Sequence, residues 1–293
     1  MGNIKAIKVA LIHRDGPRGF DRSVGWWAYD VPEFEVAHFP VPKYSRQRKA
    51  QFGNFDIILQ EDHKTKITWE GDGRPPRCYH IVDSPCSRAH YLDRRQYATG
   101  ADLILLDCDT PKRFKDIAPV RRFNYCVNTQ RYYDRGVDRN IDVGWYYRPN
   151  FPARRELDLW LKDFCKDMGW TYSSGKRVKG NYATSLAQTK IAINLARYET
   201  MRTHRVFDAM ACGCCLVTSP IVDVPGEKRE AGKDYVVFTG YDDLAQKLEW
   251  LMAGNWNGIA KSGKALVDTY HTWDIRAKEL HKTLLEVFPW LES

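Results

Sequence analysis

The chain has 293 residues, of which 43% are hydrophobic, 28% charged and 13% aromatic; this excludes disorder, collagen and coiled coil and suffices for two α/β domains. Lys and Arg number 45 against 37 Asp and Glu, and the excess is uneven, +6 over residues 1–150 and +2 over 151–293. That bias fits either a solvated surface or a first half that meets an acidic partner such as nucleic acid.

Met1 to Leu11 carries Lys5 and Lys8 in place of the long apolar block of a signal peptide, and no later run reaches transmembrane length. A cytoplasmic protein without membrane insertion is expected. The first half holds six strand-like runs: Ala6 to Ile12, Phe34 to Phe39, Asp56 to Gln60, Cys78 to Val82, Leu103 to Leu106 and Phe123 to Val127. Several end in polar residues, among them Asp62, His63 and Asp83, and the first runs into His13, Arg14 and Asp15. In an open parallel sheet ligands bind beyond the carboxyl ends of strands, so these residues mark a first-half site.

Residues 148–155, with two prolines, read as a linker between domains at 1–150 and 151–275, followed by a terminal helix over 276–293 that packs back on the first domain. The second domain predicts a helix over Glu156 to Met168, a strand over Trp170 to Ser173, a helix over Ala183 to Thr189 and a strand over Ile191 to Leu195. Arg205 to Cys212 then reads as a helix that stops at Gly213 and turns into a strand ending in Thr218 and Ser219. Tyr235 to Phe238 is the next strand, and Asp242 to Met252, Gly258 to Tyr270 and Trp273 to Phe288 are helices. The eight cysteines (Cys78, Cys86, Cys108, Cys126, Cys165, Cys212, Cys214 and Cys215) lack paired zinc spacing and read as small buried hydrophobes.

An ordered series now stands out: Lys190 to Asn194, Arg205 to Gly213, the strand Leu216 to Thr218, the helix start Asp242 to Ala245, Gly263, and His271 to Arg276. Over residues 190–276 the chain resembles the C-terminal half of group 1-like GT-B glycosyltransferases, the CgeB-like group in particular. The resemblance implies two Rossmann-like α/β domains facing a central cleft, with a nucleotide sugar, a UDP-sugar by preference, bound to the second domain. It implies no metal.

Read residue by residue, the helix N-terminus attracts phosphate through its unpaired N–H groups and dipole. Arg205 in its first turn opposes that dipole, a poor choice for helix stability and a good one for clamping a diphosphate. The resemblance gives Asp208 the ribose hydroxyls, in place of the Glu of many relatives; Thr200 stands where the retaining branch has its other Glu. Gly175, Lys176, Lys179, Asn194, Arg197, Thr203, His204 and Gly213 complete the expected donor site. Asp83 and Asp62 are the candidate bases for the acceptor hydroxyl, with Arg205 stabilising the leaving group. Arg14, Arg46, Arg48 and Lys49, with Trp26 and Trp27 to stack on a base, are the candidate acceptor contacts if the acceptor is double-stranded DNA bearing hydroxymethylated pyrimidines. A polysaccharide or protein acceptor, a sugar-nucleotide epimerase and a non-catalytic nucleic-acid-binding module stay open as alternatives.

Overall fold

The structure is a computed structural model and describes residues 6–14, 31–41, 47–50, 52–61, 66–69, 74–81, 94–106, 114–147, 152–175, 182–196, 204–221 and 228–292. The chain forms two compact units, one of residues 1–124 with 273–293 and one of residues 125–272.

The first unit is built on a six-stranded parallel sheet. In chain order its elements are β1 (Ile7–Arg14), β2 (Phe34–Val41), β3 (Gln47–Ala50), β4 (Ile57–Glu61), β5 (Lys66–Trp69), β6 (Arg77–Ile81), β7 (Leu103–Leu106) and β8 (Val120–Arg122). The sheet runs β2-β1-β4-β6-β7-β8, and β3 and β5 pair separately as a small parallel sheet. Parallel strands are covered on both faces and therefore read as unbroken apolar runs; β6 and β7 are buried at every position. One face of the sheet packs Ala10, Ile12 and Ile58 against Phe52, and Tyr79, Ile81, Ile104 and Leu106 against Ala98, Phe114 and Ala118. The buried Arg77 donates from Nη1 to Gln60 Oε1 at 2.8 Å and to the Tyr97 carbonyl at 3.2 Å, and from Nη2 to the Thr99 carbonyl at 2.6 Å.

Five of the six expected first-half strands form; the sixth does not. Phe123 and Tyr125 to Val127 are buried yet non-strand apart from a single bridge at Val127, and Val120–Arg122 takes the place beside β7. A short apolar run looks the same whether it pairs in a sheet or packs as a buried connector. β3 is polar, and β5 alternates only two apolar residues, Ile67 and Trp69, with Lys66 and Thr68, too short a pattern to stand out in the sequence.

The second unit holds β9 (Ile141–Tyr146), α1 (Pro152–Asp167), β10 (Tyr172–Gly175), α2 (Tyr182–Ala187), β11 (Thr189–Asn194), α3 (His204–Ala211), β12 (Cys215–Thr218), β13 (Val236–Val237), α4 (Tyr241–Trp250) and α5 (Trp256–Tyr270). All five strands are parallel, in the order β10-β9-β11-β12-β13. Val143, Trp145, Ile191, Ile193, Cys215 and Val217 face α1 and α4 through Leu157, Leu161, Leu244 and Leu248. On the other face α3 packs on β12 and α5. A Cβ on Gly263 of α5 would fall 2.5 Å from the Asp234 carbonyl and 3.1 Å from Met210 Sδ, so glycine sets the depth at which α5 seats.

The division between units falls at residue 124, not at the expected 150. The reason is β9, which the sequence reading missed and which pairs with β10 and β11 inside the second unit. The expected linker is consequently the β9–α1 connection, and Pro152 opens α1, where its missing N–H costs nothing. The terminal helix α6 (Trp273–Val287) belongs to the first unit, where His281 meets Phe34 edge-on at 5.8 Å. The six described cysteines are all buried. Among the described residues no helix is long and apolar enough to cross a membrane.

Candidate functional site

Each sheet reverses its direction of growth once. In the first unit β2 adds to one side of β1 and β4 to the other; in the second, β10 adds to one side of β9 and β11 to the other. Such a reversal parts the connections beyond the strand ends and leaves a crevice there, the usual ligand position in open α/β sheets.

In the second unit the carboxyl edge carries Gly175 on β10, Tyr146 on β9, Asn194 on β11 and Thr218 on β12, with the N-terminus of α3 beside them. Asn194 and Thr218 are register partners, and both are buried. Asn194 Nδ2 donates to Thr218 Oγ1 at 2.9 Å, and Thr218 Oγ1 donates to the Ser219 carbonyl at 2.9 Å. The half-buried Arg205 donates from Nε to Asn194 Oδ1 at 3.2 Å. The Ser219 amide donates to the Asn194 carbonyl at 3.0 Å, and Ser219 Oγ accepts from the Ala196 amide at 3.0 Å. A cation, a helix N-terminus and hydroxyl and amide groups thus converge at one strand edge, a set suited to an anionic ligand with several oxygens.

The helix stands here for local reasons. Val206, Phe207, Met210 and Ala211 bury its apolar face, and it ends in a left-handed glycine cap: Gly213 has φ +73°, its amide donates to Met210, and the Cys214 amide reaches back to Ala209. Asp208, 4% exposed, sits one turn beyond Arg205.

Arg154, unexpected from the sequence because it lay in the segment read as a linker, is buried in the first turn of α1 and donates from Nη2 to the Leu195 carbonyl at 3.3 Å. It therefore stands just beyond the end of β11, beside the β9–β11 reversal. Nearby, Asp158 of α1 accepts from Tyr147 at 2.8 Å and from Tyr172 at 2.6 Å. Burial and this carboxylate push the Tyr147 hydroxyl up to about 12, so it stays a neutral donor.

The structure thus brings Arg205, Asn194 and Gly175 to one edge, with the start of α3 at His204. It separates Gly213 from them. That residue caps the opposite end of α3, about 12 Å away along the helix; a Cβ there would lie 2.5 Å from Arg139 Nη2 and 2.8 Å from Asp134 Oδ2. Arg139 itself donates to the Thr189 and Cys212 carbonyls at 2.6 and 2.7 Å. Gly213 is a structural cap rather than a donor contact, because the turn into β12 needs a positive φ and leaves no room for a side chain. Lys176, Lys179, Arg197 and Thr203 lie outside the described residues, in segments that follow β10 and β11 or precede α3.

In the first unit the β1–β4 reversal has Arg14 as the last residue of β1 and Glu61 as the last of β4. Asp62, Asp83, Trp26, Trp27 and Arg46 lie outside the described residues, the two Asp just past the ends of β4 and β6. Arg48 and Lys49 belong to β3, in register with Ile67 and Thr68 of β5. Thr218 and Ser219 were missed as site residues although a polar pair closing an apolar strand was a legible signal.

A family model described as glycosyl transferase-like matches residues 152–282. No curated protein sequence matches the chain. Among solved structures the chain resembles Anabaena HepE in complex with UDP and glucose, at 12% identity and TM-score 0.63 over 96% of this chain and 100% of that one. Sucrose-phosphate synthase from Thermosynechococcus elongatus follows at 10% identity and TM-score 0.60, covering 97% and 100%. A glycosyltransferase from Rickettsia africae matches at 7% identity and TM-score 0.57, covering 96% and 98%. The paired parallel sheets and the likeness to these structures show a two-domain GT-B fold, and the second unit carries the match to the glycosyl transferase-like family model.

Proposed function

We propose that the chain transfers a sugar from a nucleoside diphosphate sugar, UDP-linked, to an acceptor hydroxyl. The observation that carries the reading is the convergence of Arg205, Asn194 and the α3 N-terminus at the carboxyl edge of the second sheet. A departing diphosphate develops charge there, and a guanidinium with helix N–H groups stabilises it most where charge is greatest. The UDP and UDP-glucose complexes of HepE support the choice of nucleotide. Asp208 serves the ribose, and Arg154, Lys176, Lys179, Arg197, Thr203 and His204 complete the donor side. Asp62 or Asp83, past the ends of β4 and β6, takes the acceptor proton.

The acceptor we propose is hydroxymethylated pyrimidine in double-stranded DNA. Its support is the charge excess of +6 over residues 1–150 and the basic strand β3 with Arg48 and Lys49, whose pairing to β5 also places Lys66 opposite Gln47. Arg14, Arg46, Trp26 and Trp27 complete that side.

Two experiments test the reading. Calorimetric binding of UDP, GDP and TDP to the wild type and to Arg205→Ala, with sugar transfer assayed in both, tests the donor side: UDP binds the wild type, and the variant binds UDP more weakly and loses transfer by about 10²–10³-fold while keeping its Tm. Transfer of radiolabelled sugar to DNA containing hydroxymethyl-cytosine or hydroxymethyl-uracil tests the acceptor. Neutralising Arg46, Arg48 and Lys49 together flattens the salt dependence of DNA binding by about 0.9 in slope per lost contact and leaves UDP affinity unchanged. Labelling of a polysaccharide or protein with none on DNA replaces the acceptor; an altered donor sugar without any acceptor makes the protein an epimerase.

A further inference from the structure

We infer that Thr218 and Asn194 are positioning residues: a one-way hydrogen-bond relay from the end of β12 through the end of β11 fixes the Arg205 guanidinium for the donor diphosphate. The inference rests on the donor reading above and deepens it, since Asn194 then acts through Arg205 rather than on the nucleotide.

The direction of the relay follows from the inventory of donors. A hydroxyl has one hydrogen, and Thr218 spends it on the Ser219 carbonyl at 2.9 Å. Toward Asn194, 2.9 Å away, the hydroxyl is then an acceptor, so the Asn194 amide must present its NH2 to Thr218. Its carbonyl oxygen is thereby turned toward Arg205, whose guanidinium has only donors and whose Nε–H meets that oxygen at 3.2 Å. Flipping the amide would set donor against donor at Arg205. Asn194 is 1% exposed and Thr218 0%, so no bulk water repairs such a clash.

Anchoring the Nε edge restricts rotation of the guanidinium plane about the end of the side chain. Pre-orienting a bidentate cation in this way gains affinity by lowering the ordering cost of binding. The relay also gives a reason for the placement of Arg205 in the first turn of α3, where positive charge opposes the helix dipole. Thr218 closes a strand whose other positions are apolar, and only its hydroxyl sets the sense of the chain of bonds.

The test is a double-mutant cycle read on the Kd of UDP by calorimetry, with Tm measured for every variant. Thr218→Val, which keeps the shape and removes the hydroxyl, weakens UDP about tenfold, and Thr218→Ser restores affinity to within about threefold of wild type. In the Arg205→Ala background Thr218→Val has no further effect, because the residue it serves is gone. Effects of Thr218→Val that persist in that background, or wild-type UDP affinity in Thr218→Val itself, overturn the relay. A lowered Tm with unchanged Kd assigns Thr218 to folding alone and overturns it equally. Failure of the wild type to bind UDP, or an Arg205→Ala variant that binds UDP as wild type does, instead refutes the donor reading beneath it.

Discussion

His80 offers a prediction whose size comes from the structure. The imidazole, on β6, is 2% exposed; its Nδ1 makes no hydrogen bond, and its ring meets the edge of Phe123 at 5.2 Å. Burial disfavours the imidazolium and lowers its pKa from the ordinary 6.5 to about 3. As pH falls through 6.5 the unfolded chain takes a proton that the folded chain refuses, so stability is intact above that value and is lost between 6.5 and 3. At pH 5 the loss is about 2 kcal/mol, 1.5 pH units at about 1.4 kcal/mol each, and it hardly depends on how far below 5 the folded value lies. The assay is urea unfolding of wild type and His80→Leu at pH 7.5 and pH 5.0. Every other titrating group is shared, so the wild type should lose about 2 kcal/mol more than the variant over this interval. At pH 7.5 the variant should be as stable as wild type or more so, since leucine removes a buried polar atom that has no partner. Equal acid losses in the two proteins would refute the reasoning.

Three other substitutions probe the second unit. Gly213→Ala puts a Cβ against Arg139 and Asp134 at φ +73° and should cost about 2 kcal/mol in calorimetric unfolding, mostly from the left-handed backbone; a loss under about 0.5 kcal/mol would be inconsistent with the cap. Burial alone would raise the pKa of Asp142, but the Lys190 ammonium at 2.6 Å and the Thr171 amide and hydroxyl hold it below the usual 3.8. Its contribution is therefore full above the usual value and lost as pH falls through the lowered one, so the stability gap between wild type and Asp142→Asn should shrink as pH falls below 3.8; a gap independent of pH counts against the ion pair. Asp208→Asn should raise the Kd for UDP about tenfold and change kcat less, and equal losses in both would assign Asp208 to the reaction rather than to ribose.

The second unit was legible in the sequence because its signals are local. The apolar faces of α1, α3, α4 and α5 repeat at helical spacing, β11 and β12 are apolar runs, and the glycine that stops α3 announces a cap within its own turn. The same local signal misled at Phe123 to Val127, and it was absent at β3 and short or mixed at β5 and β9, which pair with neighbouring strands in the structure. Strand order is not a property of any one segment, so the two reversals that define the crevices could not be read ahead of the structure. Arg205 and Asn194 were identifiable as types suited to a diphosphate, yet their link to each other and to Thr218, 24 residues past Asn194, exists only once β11 and β12 pair in register. Gly213 shows the converse: sequence proximity to Arg205 suggested a shared site, whereas eight residues of helix carry the two to opposite edges of the sheet. Side-chain chemistry and local periodicity belong to the chain itself; which groups meet is decided by the ladder of hydrogen bonds between strands distant in sequence, a long-range term that no local pattern encodes.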